Sequence, residues 1–126
     1  SLINKYHIKD WFFLDMSMPF FARFANNLHD YNINKDNLAV RYSEFEAIEY
    51  ALSFKNKVGW IWIDCFKNLP LNREIYNLIM KANFKICIVS PELQNHSLDK
   101  IVDFQKILAD FKIDAVCTKR PDLWKN

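Results

Sequence analysis

The sequence predicts an α/β fold of five βα units with parallel strands, and three observations predict it. Five short apolar runs rich in β-branched and aromatic residues recur along the chain. Stretches with helical periodicity separate them. The runs centre near residues 13, 40, 62, 87 and 115, so successive spacings are 27, 22, 25 and 28 residues. Strand and helix alternating at about 25 residues per unit is the pattern of a parallel sheet with crossover helices. Strands that are apolar almost throughout agree, because parallel strands are covered on both faces.

Each element has a local reason. The opening residues Ser1–Asp10 read as the end of a helix, with Leu2, Ile3 and Tyr6 on one side. The runs Trp11–Asp15, Leu38–Tyr42, Val58–Phe66, Phe84–Val89 and Ile113–Thr118 are too short for helices and have strand composition. Pro19–Leu28 is an apolar helical stretch. Glu44–Lys55 places Phe45, Ile48, Ala51 and Leu52 on one stripe, and Ser43 before Glu44 and Glu46 gives a capping-box pattern. Leu71–Asn83 aligns Ile75, Leu78, Ile79 and Ala82; Leu98–Phe111 aligns Ile101, Phe104, Leu108 and Phe111, with Ser97 as its expected cap. Pro19, Pro70, Pro91 and Pro121 follow strands or precede helices, where a missing N–H costs least.

Two architectures fit this order: an open five-stranded flavodoxin-type sheet, or part of an eight-unit barrel. A chain that opens inside a helix, with Ser1 rather than Met in front, favours the C-terminal part of a TIM-type barrel. Residues 1–126 show no linker, low-complexity tract or charge run, so one α/β domain is expected, a fragment of a larger barrel.

Composition narrows the function. The 126 residues are 51% hydrophobic and 25% charged, a globular balance. Lys+Arg 17 against Asp+Glu 15 leaves +2, too small a bias for a nucleic-acid partner or an anionic membrane held by field alone. No apolar run approaches the roughly 18 residues of a membrane span, and no secretory signal opens the chain. Three cysteines, an odd count, suggest reduced thiols and a cytoplasmic setting. Gly59 is the single glycine, so a dinucleotide fingerprint or a Walker loop is excluded.

In parallel α/β folds, chemistry collects at the strand C-termini. Those positions hold Asp15 and Ser17, Arg41 and Ser43, Asp64 and Cys65, Ser90 and Glu92, then Thr118, Lys119 and Arg120. Taken singly, such residues cap the next helix. Taken together, Arg41, Lys119 and Arg120 are cations suited to a phosphate or carboxylate. Asp15, Asp64 and Glu92 are carboxylates able to hold those cations or a metal. Trp60, Trp62 and Asp64 share one strand face; core packing accounts for the tryptophans, and an aromatic wall for a ligand is the functional alternative. The expected substrate-side set is Arg41, Trp62, Asp64, Ser90, Glu92 and Lys119.

Cys65, Cys87 and Cys117 lack zinc-site spacing and are expected to be buried and inert. Asp64 beside Cys65 would raise that thiol's pKa. His7, His29 and His96 form no metal motif and read as surface residues.

The segment Asp114-Ala115-Val116-Cys117-Thr118-Lys119-Arg120-Pro121-Asp122-Leu123-Trp124 resembles the closing "D-G-I-x-T-D-x-P" strand and turn of glycerophosphodiester phosphodiesterases, which complete an eight-unit barrel. Phe13-Leu14-Asp15-Met16-Ser17 is similar to that family's "SFD" strand end. Cys87-Ile88-Val89-Ser90-Pro91-Glu92-Leu93 falls where its penultimate strand lies. The resemblance extends to a bacterial branch related to phosphatidylinositol-specific phospholipases. Departures are specific: Lys119 replaces the Asp of the closing motif, and Ile88 and Val89 do not match the penultimate aromatic. The family's early His-Arg-Gly, its metal-binding Glu-x-Asp and its second His-Asp do not occur here.

What the resemblance implies is the C-terminal segment of a barrel that hydrolyses a glycerol- or inositol-linked phosphodiester, with the catalytic half upstream. A divalent cation would serve the complete barrel through ligands outside this chain, so the chain alone is expected to be inert and to bind none. Its partner would be a phosphodiester small molecule or lipid head group, and an isolated half barrel with open edges should self-associate. The alternatives are a non-catalytic anion- or phosphate-binding module and a structural interaction domain.

Overall fold

The computed structural model describes residues 35–124. The expected strand Trp11–Asp15, the helix Pro19–Leu28 and the helix end Ser1–Asp10 lie outside them, as do Asp15, Ser17, His7 and His29. Within the described residues the chain forms a four-stranded parallel sheet: β1 (Ala39–Tyr42), β2 (Trp60–Ile63), β3 (Lys85–Val89) and β4 (Ala115–Cys117). Between and after them come α1 (Ile48–Leu52), α2 (Arg73–Lys81), α3 (Lys100–Leu108) and α4 (Pro121–Trp124). Short 3-10 turns occupy Lys35–Asn37 and Pro91–Gln94.

The strands stand side by side in chain order. A flavodoxin-type sheet puts its first strand between its second and third. Here the predicted second and third strands, β1 and β2, are hydrogen-bonded neighbours, with Val40 opposite Ile61 and Tyr42 opposite Ile63. The described strands therefore depart from that order and contain no switch point.

Alternation along each strand separates two faces. Val40 and Tyr42, Ile61 and Ile63, and Ile86 and Ile88 lie in matching rows and pack with Ile48, Ala51, Phe54, Ile79, Phe104 and Leu108 in one buried cluster. Each fully buried isoleucine contributes about 2–3 kcal/mol through removal of its side chain from water. Parallel neighbours joined by right-handed crossovers keep their helices on one side, and that is where this cluster lies. The opposite face carries Ala39 and Arg41, Trp60 and Trp62, Lys85, Cys87 and Val89, and Ala115 and Cys117.

The helices are shorter than the periodicity predicts. Over 43–47 the chain is turn rather than helix: the Ser43 hydroxyl accepts the Phe45 N–H at 3.2 Å, and Glu44 reaches to a neighbouring loop. The capping box at Ser43 therefore does not form. Phe45, expected on the buried stripe, is 63% exposed and stacks on Phe66 with ring centroids 5.4 Å apart. Ser97 likewise caps nothing through its side chain. Its carbonyl accepts the Lys100 N–H at 3.1 Å in a backbone turn, and α3 begins two residues later than expected. On α2 the apolar face is narrower than predicted, because Leu78 is exposed while Ile79 is buried. That helix is capped by Asn72, whose side chain accepts the Ile75 N–H at 2.8 Å.

The scarcity of glycine has a structural counterpart. Asn56, Asn83 and Asn95 all adopt positive φ (66°, 63° and 64°), the left-handed region that asparagine tolerates best after glycine. Asn83 follows the C-cap of α2. Its N–H reaches the Met80 carbonyl at 3.0 Å, while the Phe84 N–H reaches Ile79 at 3.4 Å. This is a Schellman arrangement sealed by Phe84 and Ile79, both buried. Gly59 sits where backbones crowd: a Cβ there would lie 2.9 Å from the Lys35 carbonyl oxygen, which accepts the Gly59 N–H at 2.7 Å.

Asn83 gives a direct test of this account. Asn83→Ala should lower stability by about 1 kcal/mol, the cost of a left-handed residue with an ordinary Cβ, whereas Asn83→Gly should hold or slightly raise it. Denaturant midpoints of the two variants check this; equal losses would refute the cap.

Candidate functional site

The loops that follow the strands are joined to one another in sequence by carboxylates. After β1, Glu44 accepts three consecutive backbone N–H groups from the turn after β2: Phe66, Lys67 and Asn68, each at 2.7 Å. After β2, Asp64 accepts the Gln94 side-chain amide at 3.1 Å, from the turn after β3. After β3, Glu92 accepts the Thr118 hydroxyl at 2.6 Å and the Lys119 N–H at 2.9 Å, both from the end of β4. Each tie reaches one loop forward.

Glu92, like Glu44, accepts three hydrogen bonds. The Ser90 hydroxyl also donates to it, and Ser90 in turn accepts the Trp124 indole N–H at 2.8 Å. Thr118 similarly accepts the Arg120 N–H at 2.9 Å. Burial disfavours the charged form of Glu92, but the Ser90 and Thr118 hydroxyls and the Lys119 N–H outweigh it and hold its carboxyl below the ordinary value. Glu44 behaves alike: partial burial opposes ionisation, the three N–H donors overcome it, and its carboxyl also lies low.

The six expected substrate-side residues fall into two groups. Arg41 and Trp62 are register partners on the face turned away from the helical core, in one row with Cys87 and Ala115. Asp64, two residues beyond Trp62, is buried at the end of the same strand. Arg41 pairs with Glu46 at 3.2 Å, both partly exposed. Ser90, Glu92 and Lys119 form the second group, at the β3–β4 tie, where Ser90 is fully buried. Lys119 enters that tie through its backbone, which leaves its exposed side chain outside the carboxylate network. Arg120 is engaged with Asp122 through two bonds of 3.0 and 2.9 Å.

The thiols are poor nucleophiles. Burial first, then the charges of Glu44 and Asp64, push Cys65 up to about 12. Burial, reinforced by Cys117 and Asp64, pushes Cys87 up to about 12 as well. Cys117 is raised by burial and by Asp64 and Glu92. The expected effect of Asp64 on Cys65 is present, but desolvation is the larger cause. Among the described residues, no three His, Cys, Asp or Glu side chains gather into a group able to hold a metal, and no helix is long and apolar enough to cross a membrane.

Sequence reasoning did not single out Glu44 or Gln94. Glu44 reads as a helix first-turn acid, and only its place two residues past a strand end could have marked it. Asp114 reads from the sequence only as part of the last strand run and the closing motif. Its carboxylate accepts the Ile86 N–H at 2.9 Å while its own N–H reaches the Ile86 carbonyl at 3.0 Å, which sets β4 beside β3.

Because the carboxyl of Glu92 lies below its unfolded value, its contribution is complete above the ordinary carboxylate pKa of about 4.3 and is lost as pH falls through the lower, folded value. Glu92→Gln should cost about 1–2 kcal/mol at neutral pH. The gap between the variant and the natural protein should close progressively below about pH 4. Thermal melts across pH 3–8 measure it; a gap that widens in acid would contradict the tie.

No protein-family model, curated protein or solved structure matches this chain.

Proposed function

We propose that this chain is the C-terminal segment of a phosphodiesterase-like barrel acting on a glycerol- or inositol-linked phosphodiester, and that its strand ends supply the substrate side. One observation carries the reading: four parallel strands in unbroken chain order. That winding suits a barrel, in which each strand pairs with its sequence neighbours, and a continuous barrel would turn the face bearing Arg41, Trp62 and Cys87 inward. The likeness of Asp114–Trp124 to the closing segment of glycerophosphodiester phosphodiesterases supports it, since Asp114 and Thr118 both hold β4 in place.

In this reading Arg41 and Lys119 contact phosphate or head-group oxygens and Trp62 lines the pocket. The general acid, the general base and the ligands of the divalent cation that would stabilise charge on the phosphoryl oxygens belong to the upstream half. Within this chain, Asp64, Ser90 and Glu92 serve by holding the loops at fixed separation, a positioning role. A self-associating half barrel and a cytoplasmic setting are part of the same proposal.

A second reading is favoured by the ties themselves. Glu44, Asp64 and Glu92 are all spent on neighbouring loops, an arrangement that suits a rigid, non-catalytic module for an anion.

Calorimetric titration with glycerol 3-phosphate or inositol 1-phosphate tests the shared element of both. Arg41→Glu together with Lys119→Glu should weaken binding about tenfold or more, as loss of charge-assisted contacts implies, and in the complete polypeptide should raise KM by a similar factor. Unchanged binding and unchanged kinetics would discard these two residues as ligand contacts. Hydrolysis of a phosphodiester by this chain alone would overturn the division of labour.

A further inference from the structure

The turn after β2 has the form of an oxyanion receptor. Three successive N–H groups, those of Phe66, Lys67 and Asn68, converge on one carboxylate at 2.7 Å each. Convergent successive amides make an anion-binding concavity whatever supplies the anion. In this protein the anion is the side chain of Glu44, carried on the non-helical turn over 43–47 and therefore not held by a helix ladder.

An independent feature adjoins the turn. The side of Lys67 and Asn68 opens onto a cleft of about 160 Å³ that is also lined by Leu69, His96, Lys100 and Asp103. Neither Lys67 nor Lys100 forms an ion pair among the described residues. The Nε2 atom of His96 is buried and has no hydrogen-bond partner among the described residues. Two ammonium groups against the single carboxylate of Asp103 leave the cleft net positive. Its volume accommodates a small polar group but not a nucleotide.

We propose that the Phe66–Asn68 turn is a phosphate-monoester site whose resident occupant is Glu44, and that a ligand binds by displacing this carboxylate, placing its phosphate on the three amides and its remainder in the Lys67–Lys100–His96 cleft. Release of Glu44 would also free Phe45, which stacks on Phe66, so binding would loosen the connection from β1. The site is separate from the strand-end set of Arg41 and Lys119 and does not depend on the barrel reading. In the natural protein Glu44 competes from a tethered position and weakens the apparent affinity.

The experiment is an amide NMR titration of the full chain with inorganic phosphate, referenced to chloride at equal ionic strength, followed by glycerol 3-phosphate. Glu44→Ala should show saturable shifts of the Phe66, Lys67 and Asn68 amides and bind at least about tenfold tighter than the natural protein. Adding Lys67→Ala and Lys100→Ala to that variant should cost about tenfold, the loss of two charge-assisted contacts. Asp103→Asn should tighten binding. If Glu44→Ala does not fold, Glu44→Gln serves the same comparison and should also bind tighter than the natural protein. Amides that respond to phosphate no more than to chloride, or equal affinity with and without Glu44, would overturn the site. Glycerol 3-phosphate that moves the amides but not the His96 ring would overturn the cleft. Arg41→Glu with Lys119→Glu should leave these shifts intact, so this proposal and the strand-end reading fail separately.

Discussion

Everything in the described fold follows from one constraint: successive strands pair with their immediate sequence neighbours, all in the same direction. A parallel connection has to travel back along the sheet, and the favoured hand of that crossover sends each helix to the same side. The side so chosen becomes the hydrophobic core, with Val40, Ile61, Ile86 and Ile88 against Phe54, Ile79 and Phe104. The other side inherits whatever the odd strand positions encode. Here that is a mixed row of cation, indole and thiol, from Arg41 through Trp62 to Cys87. The same winding gathers the connecting loops at one end, close enough for a carboxylate from each to reach the next.

Those carboxylates give the loop end its character. A charged side chain near the rim of a core is favourable only when donors surround it. Among the described residues, Glu44 and Glu92 meet that condition with backbone N–H groups and hydroxyls, not with arginine or lysine side chains. The cations are thus not consumed in neutralising them. Lys67 and Lys100 beside one turn, and Lys119 beyond the last strand, keep their ammonium groups outside ion pairs among the described residues. A rim built in this way is rigid and still attractive to anions.

The strands and the helix faces were legible in the sequence because burial writes them there. Ile61 and Ile63, or Ile101, Phe104 and Leu108, are apolar at the period their element demands. Predicted strands enclose the observed ones, and only the frayed ends differ. Helix starts were less legible. Ser43 and Ser97 look like caps, yet the turn at Ser43 ends before its helix begins, and the turn at Ser97 runs into Lys100 through the Ser97 carbonyl and not its hydroxyl. Phe45 shows the consequence, an aromatic that fits a helical stripe by spacing and lies exposed because no helix reaches it. At the rim, the sequence exposed which residues are polar but not what they bond. The partners of Glu44 lie 22 to 24 residues away and are backbone atoms, which carry no residue identity.

The three asparagines at left-handed positions have a bearing on the unfolded chain. A glycine at Asn56, Asn83 or Asn95 would fit the native backbone equally well, but it would also widen the range of conformations that the denatured polypeptide explores. Asparagine narrows that range while accepting the required geometry. With Gly59 placed where two backbones nearly touch, the chain gives up less disorder on folding than a glycine-rich chain of the same architecture would. Part of its resistance to unfolding is thus located in no native contact at all.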